Sequence, residues 1–190
     1  MTRYVIDARQ IRWNAAILRR ELHGVPVIGV VKCDAYGAGL LPVSRILLDE
    51  GAAALAVLHF HEAETLRRSG VGAPILMLAP AVTAAEAGTG LRLDLTASVD
   101  GAQSCALLES AAERAGKTVP VHLMLDTGFG RFGWLPDETG ALLRDLKRCP
   151  RLRVEGLYSH LHDAYTARAK DVDRQRMLFT GTADALERAG

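Results

Sequence analysis

Cysteine is scarce and poorly placed for cross-linking. The chain carries three, Cys33, Cys105 and Cys149, widely spaced and without a CxxC pair. This argues against a zinc knuckle or a dithiol redox motif. The odd count also argues against a disulfide framework and for a reducing compartment, with the cytoplasm as the default. Charge of one sign is lacking too: the formal net charge is +1, and lysines and arginines are scattered rather than gathered into a basic run. No strong pull toward nucleic acid or an anionic membrane follows. No apolar stretch reaches about 18 residues, so no transmembrane helix is expected. The opening Met1 to Asp7 has no uninterrupted apolar core of signal-peptide length. GxGxxG, GxxxxGK[ST], HExxH and GxSxG are all missing.

What is present is a pattern. Hydrophobic residues form 49% of the 190 and charged residues 24%, the profile of an ordinary globular protein with room for one domain and a large core. Short apolar runs alternate with longer amphipathic ones, the signature of repeated βα units. A short strand is expected at Tyr4 to Ile6, with Asp7 capping a helix to about Leu22. Strands follow at Val27–Val31, Ala54–Leu58, Pro74–Leu78, Leu93–Val99 and Val119–Leu125, with a sixth within Leu152–Leu161. Helices are expected between them, at about Leu41–Glu50, His61–Ser69, Thr83–Gly88, Asp100 (as cap) to Ala115, and Pro136–Lys147. A long final helix is expected from about Arg168 to Arg188. The strands are continuous apolar runs rather than alternations, as in parallel sheets buried on both faces. Six consecutive units predict an α/β fold, a TIM-type (β/α)8 barrel that is incomplete here. The competitor is a doubly wound open sheet, which needs a switch point and often a Gly-rich phosphate loop.

Chemistry-bearing residues gather at strand ends. Lys32, Asp34 and Tyr36 follow the first barrel strand, Asp126 to Gly133 with Arg131 follows the fifth, and Ser159-His160-Leu161-His162-Asp163 closes the sixth. In a barrel these ends share the catalytic face. A lysine partly removed from water loses some preference for its charged form, and a neutral amine attacks carbonyls. The alternatives are plain ones. They are Lys32 as a strand end reaching solvent, Arg131 as a loop staple through Asp126, and His160 as a satisfied core histidine. A metal site at His160, His162 and Asp163 would need a further ligand from another strand. Lysine, arginine, histidine and tyrosine on one rim suit an anionic ligand that bears a carbonyl.

These segments resemble a known family. Val30-Val31-Lys32-Cys33-Asp34-Ala35-Tyr36-Gly37-Ala38-Gly39 is similar to the cofactor-lysine signature of alanine racemases. Asp126-Thr127-Gly128-Phe129-Gly130-Arg131-Phe132-Gly133 resembles that family's second motif and Gly156-Leu157-Tyr158-Ser159-His160 its third, in the same order. Ile6-Asp7 to Asn14 resembles its first helix. The resemblance implies pyridoxal 5′-phosphate in Schiff-base linkage to Lys32, with Tyr36 helping to hold the phosphate. Arg131 would lie near the cofactor's phenolic oxygen and the substrate carboxylate, and His160 in the hydrogen-bond network under the ring. The implied activity is racemisation of alanine or a similar small amino acid by a cytoplasmic homodimer, with D-alanine feeding peptidoglycan. Fold-related alternatives are a non-catalytic pyridoxal-phosphate carrier and an amino-acid decarboxylase.

Two departures from the family pattern stand out. Many members carry a carbamylated lysine two residues before the Asp of the second motif, and here that position is Met124. The family also continues through two more strands and a β-rich C-terminal domain. That part supplies the opposite-face tyrosine base, the arginine facing the pyridine nitrogen and most phosphate-binding loops. The expectation is therefore an N-terminal portion of a racemase (a truncated reading frame, a fragment or half of a split protein), with weak cofactor retention.

Overall fold

A computed structural model of the chain describes residues 4–162, 164 and 169–189. The elements run α1 (Ala8–Glu21), β1 (Ile28–Val30), α2 (Lys32–Tyr36), α3 (Leu40–Asp49), β2 (Ala54–Val57), α4 (Phe60–Arg68) and β3 (Ile75–Met77). They continue with α5 (Ala84–Arg92), β4 (Ala97–Val99), α6 (Ala102–Ala115), β5 (Val119–Leu125), α7 (Thr139–Lys147), β6 (Leu152–Ser159) and α8 (Ala169–Ala189). The chain divides into two compact units, Met1–Ala79 with Arg92–Leu95, and Pro80–Leu91 with Thr96–Gly190.

The first unit holds a parallel sheet in the order β1-β2-β3, in register as Gly29 opposite Leu55 and Leu55 opposite Ile75. Its core gathers Val31, Leu55, Val57, Leu66, Ile75 and Met77 with neighbours from α3 and α4. The second unit holds β4-β5-β6, again all parallel. Val99, Leu108, Val121, Leu123 and Leu142 centre its core. β2, β3 and β4 are almost wholly buried, which is why they read as unbroken apolar runs. Within each sheet the strands follow chain order with no reversal. That is the order of a (β/α) barrel rather than of a doubly wound sheet with its switch point, and the six βα units are those of an incomplete TIM-type barrel.

Several local expectations are corrected. Tyr4 to Ile6 pairs with no strand, and Tyr4 and Val5 are exposed; a β-prone tripeptide without a neighbouring edge has nowhere to place its backbone bonds. Asp7 does cap α1, its carboxylate accepting from the Arg9 amide at 2.9 Å. α6 begins one residue later than expected, with Gly101 at the cap. Asp100 instead accepts the Ser104 hydroxyl at 2.8 Å, while its own amide donates back to that hydroxyl at 3.0 Å. Pro136 opens a 3-10 turn, Pro136–Glu138, ahead of α7 rather than α7 itself. β6 is as expected: it lies within Leu152–Leu161, ends at Ser159, and leaves His160 just past the strand end.

Candidate active site

Val31, fully buried, donates its amide to the Ala56 carbonyl at 2.9 Å and ends the β1 pairing. Lys32 comes next, half-buried, as the first residue of α2. α2 is one turn wound left-handed: Cys33, Asp34, Ala35 and Tyr36 have φ of 55°, 54°, 51° and 57°. Such backbone costs L-residues about 1–2 kcal/mol each, so its surroundings must hold it. Asp34 caps α3, accepting the Leu40 amide at 2.6 Å. Ala35 is buried against the first core. Gly37, with φ of 84°, closes the turn.

The strongest hold comes from Glu62, which sequence reasoning passed over. It lies on the first turn of α4 and is only 3% exposed. One carboxylate oxygen accepts the Leu58 and His59 amides at 3.0 and 2.9 Å, and the other accepts the Cys33 amide. Burial alone would push this carboxyl up. The amides of His59, Leu58, Cys33 and Asp34 outweigh burial and hold it below the usual glutamate range. The sequence signal was only a glutamate placed to cap its own helix; its reach across 29 residues to Cys33 was not visible. Tyr36 is 65% exposed.

In the second unit, residues 126–134 form a loop that carries the candidate arginine. Trp134 is buried and returns the loop to β5: its amide donates to the Met124 carbonyl at 3.1 Å, and its carbonyl accepts the Asp126 amide at 2.9 Å. Gly133 (φ of 112°) fits under this return, since a Cβ there would lie 2.6 Å from the Met124 carbonyl oxygen. Asp126 does not staple Arg131. Its Oδ1 accepts the Gly128 and Gly130 amides at 2.9 and 3.0 Å. Partial burial pulls its pKa upward, but the amides of Gly130, Gly128, Phe129 and Arg131 outweigh that pull and leave it lowered. The Arg131 guanidinium instead sits 4.6 Å from the centre of the Phe129 ring. Phe129 in turn meets the His160 ring edge to face, centroids 4.4 Å apart. Arg131 and His160, singled out separately in the sequence, are thus joined through Phe129.

Beside them, the Tyr158 and Ser98 hydroxyls share a 2.7 Å hydrogen bond. Burial pushes the Tyr158 phenol up to about 12, against smaller opposing effects of Ser98 and Arg131. Tyr158 is therefore a neutral hydroxyl at ordinary pH. Thr127 and Ser159 are linked at 2.8 Å. His122 on β5 packs so closely on Gly156 that a Cβ there would meet its ring at 2.9 Å, and burial lowers its pKa. Met124 is buried, an apolar side chain at the position where the family motif often has its modified lysine. Among the described residues no group of three His, Cys, Asp or Glu side chains is arranged to hold a metal. Asp163, of the metal trio weighed and set aside in the sequence, lies outside the described residues.

Lys32 and Tyr36 belong to the first unit and Arg131 and His160 to the second. In the first unit Lys32 offers an amine able to take a carbonyl and Tyr36 a phenol; in the second Arg131 offers a guanidinium for anionic oxygens and His160 an imidazole, group types suited to a phosphorylated aldehyde cofactor. The recess beside Arg131, lined by Met124, Phe129, Phe132, Tyr158 and His160, is only about 10 Å³. Among the described residues this recess is therefore too small to enclose a cofactor-sized ligand, and Arg131 and His160 are exposed beside it.

Comparisons with known proteins show the family. The family model of the alanine racemase N-terminal domain matches residues 6–190. An alanine racemase of Beutenbergia cavernae is 39% identical over 193 residues, covering 99% of this chain and 50% of that protein. Another from Symbiobacterium thermophilum is 38% identical over 84% of this chain and 42% of its own length. Among solved structures, alanine racemase from Bacillus anthracis with bound L-Ala-P is 28% identical, with a TM-score of 0.88 over all of this chain and 50% of that one. Alanine racemase from Streptomyces coelicolor is 30% identical, with a TM-score of 0.84. The chain spans about half the length of the relatives it matches. With its lysine, arginine and histidine motifs in order on six βα units, the chain belongs to the family of alanine racemase N-terminal domains.

Proposed function

We propose that this chain is the N-terminal, cofactor-lysine portion of a pyridoxal-phosphate-dependent racemase that interconverts L- and D-alanine or a similar small amino acid. The observation that carries the reading is Lys32, delivered by β1 to a left-handed turn whose amides are clamped by Glu62. Lys32 would hold pyridoxal 5′-phosphate through its amine, and as a neutral amine would serve as the base on one face of the substrate. The cofactor would supply an electron sink for the charge left when the α-proton departs. Tyr36 would help bind the phosphate, Arg131 the anionic oxygens of cofactor and substrate, and His160 would belong to the supporting hydrogen-bond network. A homodimer in the cytoplasm is the working form, supplying D-alanine for peptidoglycan; three free cysteines fit that compartment.

The test is covalent labelling. Incubation with pyridoxal 5′-phosphate and reduction with borohydride should add one cofactor to the intact mass, on a peptide containing Lys32. Lys32→Ala should abolish the addition while leaving the circular dichroism spectrum unchanged. Labelling that persists in Lys32→Ala would refute the assignment. Chiral analysis of alanine then separates the activities: attachment without D-alanine formation would leave a cofactor-binding barrel without catalysis.

A further inference from the structure

We propose that Phe129 is a positioning residue for Arg131. Its ring face supports the guanidinium by a cation–π contact and leaves the arginine's N–H donors free for an anionic ligand. The proposal deepens the reading above and rests on it for the identity of that ligand. Among the described residues Arg131 meets an aromatic face rather than a carboxylate; the Asp126 Oδ1 oxygen takes the Gly128 and Gly130 amides instead. A guanidinium–carboxylate pair would occupy two N–H donors and cancel the charge. A ring face attracts the cation through its quadrupole and takes no donor. The guanidinium keeps its planar fork and positive charge, the features that recognise a carboxylate or phenolate.

The ring is itself fixed. Phe129 is flanked by Gly128 and Gly130, whose amides are pinned to Asp126, and its far contact is the His160 ring at 4.4 Å with an interplanar angle of 83°. Phe129 thus touches both candidate site residues, the Arg131 guanidinium over its ring and the His160 ring edge to face. On β5, Met124 offers the arginine only an apolar thioether. An aromatic residue between two glycines read in sequence as part of a loop, and its role emerges only from the stacking.

The test uses the full chain. Phe129→Leu keeps the bulk and removes the π face, Phe129→Trp keeps a face, and progressively fluorinated phenylalanines at 129 weaken the quadrupole at constant shape. In the unliganded chain the Arg131 Nε–H proton should be shifted upfield by the ring current, return to an ordinary position in Phe129→Leu and stay shifted in Phe129→Trp. Affinity for pyridoxal 5′-phosphate should fall in step with fluorination, by about two- to fivefold at the end of the series, as expected of a partly exposed cation–π contact. An unchanged Arg131 resonance in Phe129→Leu, or a fluorinated series that binds like the parent, overturns the proposal. A purely structural role would lower the melting temperature of Phe129→Leu and leave the isosteric series flat. If the parent chain takes up no cofactor, the functional reading fails, and the ring-current comparison still decides the Arg131–Phe129 contact.

Discussion

Glu62 shows how much one buried carboxylate can organise. It joins the start of α4 to the lysine turn through backbone amides alone, with no cation among its recorded partners. Glu62→Gln keeps the shape but replaces one acceptor oxygen with a donor, so either the cap or the turn must lose its bonds. Hydrogen bonds to a charged acceptor contribute about 1.5–3 kcal/mol each. We expect Glu62→Gln to lower stability by about 2–4 kcal/mol in urea titrations and to raise amide exchange at Cys33 and Asp34. The pH dependence follows from the lowered pKa of the folded state. The unfolded chain binds the proton first, so the stabilisation is complete above the ordinary glutamate value of about 4.3 and is lost as pH falls through the lower folded value. The stability gap between parent and Glu62→Gln should therefore narrow below about pH 4.3; a gap that stays constant down to pH 2 would refute the role. None of this was legible in the sequence, where Lys32, Arg131 and His160 stood out by type and motif. Glu62 and Phe129 act through contacts that the sequence does not encode locally.

Whole elements were easier to read than their ends or their handedness. Buried parallel strands betray themselves as apolar runs, and all six barrel strands lie where those runs predict them. Tyr4 to Ile6 carried a similar local signal and failed, because pairing is a property of two segments and this one has no partner. The left-handed turn Lys32–Tyr36 was invisible for a related reason. Only Gly37, and weakly Asp34, favour positive φ, and the rest of the turn is held by Glu62 from another helix. The loop after β5 is the opposite case, with glycines that advertise their geometry. Gly133→Ala would drive a Cβ into the Met124 carbonyl at positive φ. The loop must then give up the pairing of Trp134 with Met124 and Asp126. We expect a loss of about 2 kcal/mol or more and loss of the upfield Arg131 resonance, since the platform would move with the loop. Gly156→Ala makes a useful contrast, because its Cβ meets the side chain of His122 and not backbone. A ring can turn aside, so its cost should be smaller in the same urea titration, and a cost equal to that of Gly133→Ala would show that His122 cannot yield.

At the scale of the molecule, the chain separates into two compact units, a division that no linker in the sequence marks. The reason lies in how barrels are built: each βα unit looks like the next in sequence, and only the burial pattern shows which strands share a core. Leu55 belongs wholly to the first core and Leu123 to the second, and both are essentially unexposed. Each leucine-to-alanine change should cost about 2–5 kcal/mol from lost transfer energy and the cavity left behind. If the units are separate cooperative blocks, native-state hydrogen exchange should localise each loss. Leu55→Ala would raise exchange in β1, β2, β3, α3 and α4 while leaving β5 and β6 protected as in the parent; Leu123→Ala would do the reverse. Uniform acceleration across both units in either variant would show one cooperative structure and overturn the division.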